Sequence, residues 1–151
     1  MRILVEKAAR RLSILEEDRM IFECRAALGR CPVGEKRAEG DGRTPEGSYR
    51  ICLIKEEGKY GRSLGLSYPG ESDARLAFSE GRIDKRTLDN ILLAHKENRR
   101  PPWGSPLGGE IYIHEGGSAN DWTQGCIALN AEDMDVVFSL RESIEQVDIR
   151  A

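Results

Sequence analysis

Asp121–Asn130 reads DWTQGCIALN: a polar approach with one tryptophan, a glycine–cysteine pair, and then a short apolar run. Glycine beside cysteine at the mouth of a strand makes a corner with a thiol on it. A thiol acts as a nucleophile when it has a base for its proton, access to substrate, and donors for the oxyanion it creates. Working outward, His114 lies twelve residues upstream, at the end of the strand-like stretch GGEIYIH (Gly108–His114). It can serve as the base if the strand ending in His114 and the strand beginning at Cys126 are neighbours. The intervening EGGSANDWTQG is glycine-rich at both ends, as a chain turning back over a pocket must be. With no side chain at Gly125, the backbone N–H groups of Gln124, Gly125 and Cys126 can face an oxyanion. Most cysteines are simply small packed hydrophobes, but such a residue needs neither a flanking glycine nor a polar approach. Trp122 can cap the core or form the wall of a substrate cleft.

The chain has 151 residues, 39% hydrophobic and 32% charged, with net charge −3 and pI about 5.5. That is the length and composition of one soluble globular domain, taken as residues 1–151 and expected to be a monomer. Lysine and arginine are scattered, so a nucleic-acid partner, which needs a clustered positive surface, is not expected. No apolar run approaches a membrane span. The N-terminus MRILVEKAARRLSILEEDR lacks a signal-peptide core, which fits either a cytosolic protein or a mature form after export. The cysteines (Cys24, Cys31, Cys52, Cys126) form no C-x-x-C pair, and only two histidines accompany them. No metal site and no cofactor are expected. A Cys24–Cys31 disulfide stays open.

Period-two patterning dominates. Ile3 and Val5 alternate with polar residues, and Met20, Phe22, Cys24, Ala26 and Leu28 share a face after a hairpin turn at Glu17–Arg19. A turn-rich GDGRTPEG leads into a strand through Tyr49, Ile51 and Leu53, which puts Cys52 on the other face. Another strand at SLGLSY is closed by the YPG turn. Leu88, Ile91, Leu92 and His95 repeat at helical spacing, and Pro101-Pro102 end that helix; His95 reads as a helix-surface or boundary residue. A short strand CIALN leaves the Gly125 corner. Asn130 then reads as the N-cap of a second helix carrying Met134, Val137, Phe138 and Leu140, with Asp133 in a capping-box position. QVDIR is the last strand. These patterns give a mainly β fold with two helices of any length.

Taken together, GDGRTPEGSYRI, LGLSYPGESDA, PLGGEIYIHEGG and DWTQGCIALN resemble the YkuD-like L,D-transpeptidase catalytic domain, in its DWT-x-GCIAL form. The resemblance implies a β-rich α+β fold, a curved sheet or sandwich-like barrel with a few peripheral helices. It implies Cys126 as nucleophile, His114 as general base, the Glu115 carbonyl as orienter of the imidazole, and the amides of Gly125 and Cys126 as the oxyanion hole. Trp122, Thr123 and Gly116 would border the substrate cleft. The chain departs from the family in carrying Gln124 where His or Arg is common, Ala128 where many members place an arginine, and Glu115 for the usual glycine.

Implied partners are peptidoglycan stem peptides, with an amine acceptor or water, at the cell envelope, periplasm or outer wall face. The expected reaction is acyl transfer through a Cys126 thioester. A hydrolytic variant, a carboxypeptidase or amidase, is the alternative. A non-catalytic wall-binding module is weaker, because it would be marked by loss of the cysteine or the histidine.

Overall fold

The computed structural model describes residues 1–151. Strands β1 (Arg2–Glu6), β2 (Arg11–Glu16) and β3 (Arg19–Arg25) form an antiparallel meander. Its second turn is tight: Glu17 and Asp18 both have positive φ (49° and 63°), the two-residue geometry that matches strand twist. Strands β9 (Gln146–Arg150) and β4 (Gly47–Tyr49) complete a five-stranded sheet of order β3-β2-β1-β9-β4, with β9 parallel to β1. The second sheet, of order β5-β6-β7-β8, contains β5 (Ile51–Gly58), β6 (Gly61–Leu66), β7 (Tyr112–Glu115) and β8 (Ile127–Leu129).

The single strand expected through Tyr49–Leu53 is therefore two strands in different sheets. The break is at Arg50, whose amide donates to Ser67 Oγ (2.9 Å) while its carbonyl accepts from the Ser67 amide (2.9 Å). Segment 26–30 makes a second link between the sheets. Leaving β3, it pairs Ala27 with Ala128 of β8 and Gly29 with Thr123. Met20 lies 52% exposed and Cys24 half-buried, because β3 is an edge strand. One cluster of buried side chains joins Ile3, Val5, Leu12 and Ile14 to Leu64, Ile113 and Ile127 of the other sheet. Burying each such side chain is worth about 1.5–3 kcal/mol.

Three α-helices flank the sheets, one more than the sequence patterns indicate. The extra helix, α1 (Glu71–Ser79), is short and buries only Ala74 and Ala77, so its apolar stripe is weak. It is capped by Asp73, which accepts from the Gly70 amide at 2.8 Å. Helix α2 (Lys85–Lys96) starts at Asp84, whose side chain accepts from the Thr87 amide (2.8 Å), and buries Leu88, Ile91 and Ala94. His95 accordingly sits at the helix boundary, with Nε2 2.7 Å from the Pro69 carbonyl. Helix α3 (Ala131–Ser139) does begin after Asn130, but the Asn130 side chain makes no cap. Its Oδ1 accepts from the Ser118 amide (3.1 Å), anchoring the loop between β7 and β8 instead. No helix is long and apolar enough to cross a membrane.

Candidate active site

Strands β7 and β8 are parallel neighbours, with Ile113 opposite Ile127 and His114 opposite Ala128. In this register Cys126, one residue before Ile127, is level with Tyr112, two residues before His114, so the Cys126 and His114 side chains leave the same face of the sheet. His114 and Cys126 consequently line the same cleft, of about 380 Å³, together with Trp122, Thr123 and Gln124.

The corner before Cys126 is built by Thr123, which is only 4% exposed. Its Oγ1 accepts from the Gly125 amide (3.1 Å) and donates to the Cys126 carbonyl (2.7 Å), a hydroxyl turn. The Gly125 amide is thus occupied and does not face the cleft as the sequence suggested. The amides of Gln124 and Cys126 have no protein partner. Gly125 has φ +141°, and a methyl group there would come within 2.7 Å of the Arg43 carbonyl, so both conformation and space require glycine. Asp121 fixes the start of the corner: its carboxylate accepts from Arg10 Nη2 (2.9 Å) and from the Leu28 amide (2.9 Å).

His114 is 1% exposed. Its Nδ1 lies 2.5 Å from the Glu115 carbonyl, which can only accept, so Nδ1 carries the proton and Nε2 is left as the free acceptor. Tyr60 stacks on the ring (centroids 4.7 Å apart, planes 16°) and Trp122 meets it edge-on (5.7 Å). Burial holds the imidazole below the ordinary histidine range, although the Glu115 carbonyl pulls the other way. The Glu115 side chain turns away from the imidazole to pair with Arg62 (2.7 Å). Gly116 is not part of the cleft lining. It seats Trp122, whose Cζ2 a methyl group at 116 would approach to 2.9 Å.

The Cys126 thiol lies between two backbone groups: it accepts from the Tyr112 amide (3.4 Å) and donates to the Glu110 carbonyl (3.4 Å). Burial raises it above the ordinary thiol range, while the Tyr112 amide and the positive charge of Lys36 offset part of the rise. Both groups of the pair are therefore neutral near pH 7, rather than thiolate and imidazolium. The other thiols are free as well. Cys24 is pushed up to about 12, chiefly by burial.

Tyr60 and Lys36, also in the cleft wall, carry no local sequence signal. Each reaches the site from a loop distant in the chain. Ala128 is fully buried, its amide and carbonyl bound to Ala27 (3.0 and 2.9 Å), and β8, apolar throughout, adds no polar side chain to the cleft.

The model of the YkuD L,D-transpeptidase catalytic domain matches residues 1–149. The chain belongs to the YkuD family. Solved structures share this family's fold at low identity. The helical cell shape determining protein Pgp2 (K307A mutant) from Campylobacter jejuni superposes with a TM-score of 0.69 at 23% identity over 98% of this chain. Bd1075 from Bdellovibrio bacteriovorus gives 0.54 at 20% over 99%, and an L,D-transpeptidase from Xylanimonas cellulosilytica gives 0.56 at 13% over 98%. The chain spans less than two thirds of each of them: 46%, 47% and 59%. No curated protein matches it.

Proposed function

We propose that residues 1–151 form a cysteine acyltransferase domain acting on peptidoglycan stem peptides at the cell envelope. The Cys126 sulfur attacks the carbonyl on the L-centre of the third stem residue, and His114 Nε2 takes the thiol proton. The Gln124 and Cys126 amides receive the oxyanion. The C–N bond breaks, the proton passes from His114 to the departing amine, and a D-amino acid leaves. An amine or water then attacks the thioester and the proton returns to sulfur. Since both partners are neutral at rest, proton transfer accompanies attack, and the thiol first swings off the Glu110 carbonyl.

One observation carries this reading: the thiol and the imidazole share one cleft, and the imidazole's proton is fixed on the nitrogen bound to Glu115. Membership of the YkuD family supports the substrate class. Ala128, a buried methyl where many members place an arginine, supports the hydrolytic variant as the second reading. The test is incubation with purified muropeptides and mass spectrometry of the products. Loss of the terminal D-residue, cross-linked in the transferase case, is expected. Unchanged muropeptides, or full activity in a folded Cys126→Ser variant, would sink the proposal.

A further inference from the structure

The chain buries two lysines, and they are used differently. Lys7 has a side chain 3% exposed, and its ammonium spends all three N–H donors inside the protein: on the Gly34 carbonyl (2.8 Å), the Thr44 carbonyl (2.8 Å) and Glu46 Oε2 (3.1 Å). It staples the loop between β3 and β4 and does not line the cleft. Lys36, equally buried at 3%, does line it. Its ammonium spends only two donors, on the Ala38 carbonyl (3.1 Å) and Asp41 Oδ1 (3.0 Å). An ammonium has three, so one remains.

The charge of Lys36 is paired once, with Asp41 (3.0 Å). Asp41, its one anionic partner, accepts in addition from the backbone amides of Arg37 (2.8 Å), Ala38 (3.1 Å) and Arg43 (3.1 Å). Taking an ammonium out of water costs several kcal/mol, so its unused third donor is one that a bound acceptor would satisfy. Lys55 and Lys59 also border the cleft, but they rest against the rings of Tyr112 (4.9 Å) and Tyr60 (5.3 Å). The lining thus carries three lysines against two glutamates, Glu39 and Glu110, in a chain whose net charge is −3. Of the three, only Lys36 is both buried and held by hydrogen bonds in the wall of the cleft that contains the Cys126 thiol.

We propose that Lys36 is a specificity-determining residue that receives the terminal carboxylate of the leaving amino acid, so that the site takes peptides ending in a free carboxylate one residue past the scissile bond. This rests on the reading of Cys126 as the acyl-accepting thiol. In such a peptide a single α-carbon separates the amide nitrogen that departs from the carboxylate. The carboxylate must therefore lie in the same small cleft as the attacked carbonyl. A buried ammonium with a donor to spare holds it by a charge-assisted hydrogen bond. A C-terminal amide offers no charge to that remaining donor.

The experiment compares a stem tetrapeptide with its C-terminal carboxamide, on wild type, Lys36→Met and Lys36→Arg, each checked for folding by circular dichroism. Wild type should prefer the acid by about 10- to 100-fold in kcat/KM, the range of a desolvated charge-assisted bond. Lys36→Met should lose that preference, mainly through KM for the acid, while any slowing from removing its charge near the thiol falls on both peptides alike. Lys36→Arg should keep part of it. Equal slowing of both peptides in Lys36→Met would reduce Lys36 to a loop staple, and the proposal fails. A wild-type preference below about threefold overturns it whatever the variants do, including the case where they fail to fold. Should wild type cleave neither peptide, the acyl-transfer reading fails separately, and calorimetric binding to Cys126→Ala decides the matter for Lys36. Tighter binding of the acid upholds it; equal or absent binding overturns it.

Discussion

The Cys126 thiol donates to the Glu110 carbonyl, 3.4 Å away, and not to His114. Glu110 holds this position with a positive φ of 55°, a left-handed conformation that only a few per cent of non-glycine residues adopt. The thiol is thereby parked against backbone, protonated, beside a neutral base.

A parked thiol reacts slowly with small electrophiles at neutral pH, since the thiolate is the reactive form. Limiting iodoacetamide at pH 7 should mark exposed Cys31 before Cys24, Cys52 and Cys126, all three of which burial raises. Peptide mass mapping reads the order. If Cys126 is marked first, the resting state is the charged pair after all.

His114 must be neutral to accept the proton, so activity is present above its folded pKa and falls as pH drops through it. Burial sets that value below the ordinary 6.5, and the acid limb of the kcat/KM profile should lie correspondingly low. Tyr60→Ala removes the ring stacked on the imidazole, hydrates it, and should move the limb up toward 6.5. His114→Ala should cost about two to four orders of magnitude in rate. An acid limb that Tyr60→Ala leaves in place would assign that limb to another group.

Thr123→Val keeps the shape but strips partners from the Gly125 amide and the Cys126 carbonyl. Leaving these groups unpaired costs about 2–4 kcal/mol, whereas Thr123→Ser should cost under about 1 kcal/mol. Gly125→Ala should be harsher, about 3 kcal/mol or more, because its methyl meets the Arg43 backbone. Urea unfolding ranks the three. A Thr123→Val variant as stable as wild type would show that the hydroxyl turn is dispensable.

Asp121 ties the corner to segment 26–30. Burial raises its carboxyl, but hydrogen bonds from Arg10 and the Leu28 amide outweigh that and hold it below the usual aspartate range. The group is ionised in the fold at a pH where the unfolded chain has begun to bind a proton. Its contribution is therefore complete above about pH 4 and lost as pH falls through the lower folded value. Asp121→Asn should flatten that part of the stability curve and lower stability at pH 7 by about 1–3 kcal/mol. Unfolding measured from pH 2.5 to 7 tests both, and parallel curves for the two proteins would exclude the linkage.

The sequence by itself determined what depends on near neighbours in the chain. Period-two alternation placed β1, β6 and β9, and the Glu17–Arg19 stretch marked the hairpin. Helical spacing from Leu88 to His95, with Pro101-Pro102 beyond, marked α2, and a glycine before Cys126 marked a corner. Membership of the YkuD family was legible in the same four motifs. Tertiary structure alone decided which strands became neighbours: the parallel pairing of β7 and β8 that brings His114 and Cys126 into one cleft, and the exchange of sheets at Arg50. It also turned the Asn130 side chain to Ser118 rather than to its own helix, committed the Gly125 amide to Thr123, and carried Tyr60 and Lys36 into the cleft wall. The division is physical. Turns and caps are settled by backbone conformation and bonds within a few residues, and these are written in local residue types. The partner of a buried amide, thiol or ammonium is whichever group the folded chain brings within about 3 Å, and a one-dimensional pattern carries no record of that distance.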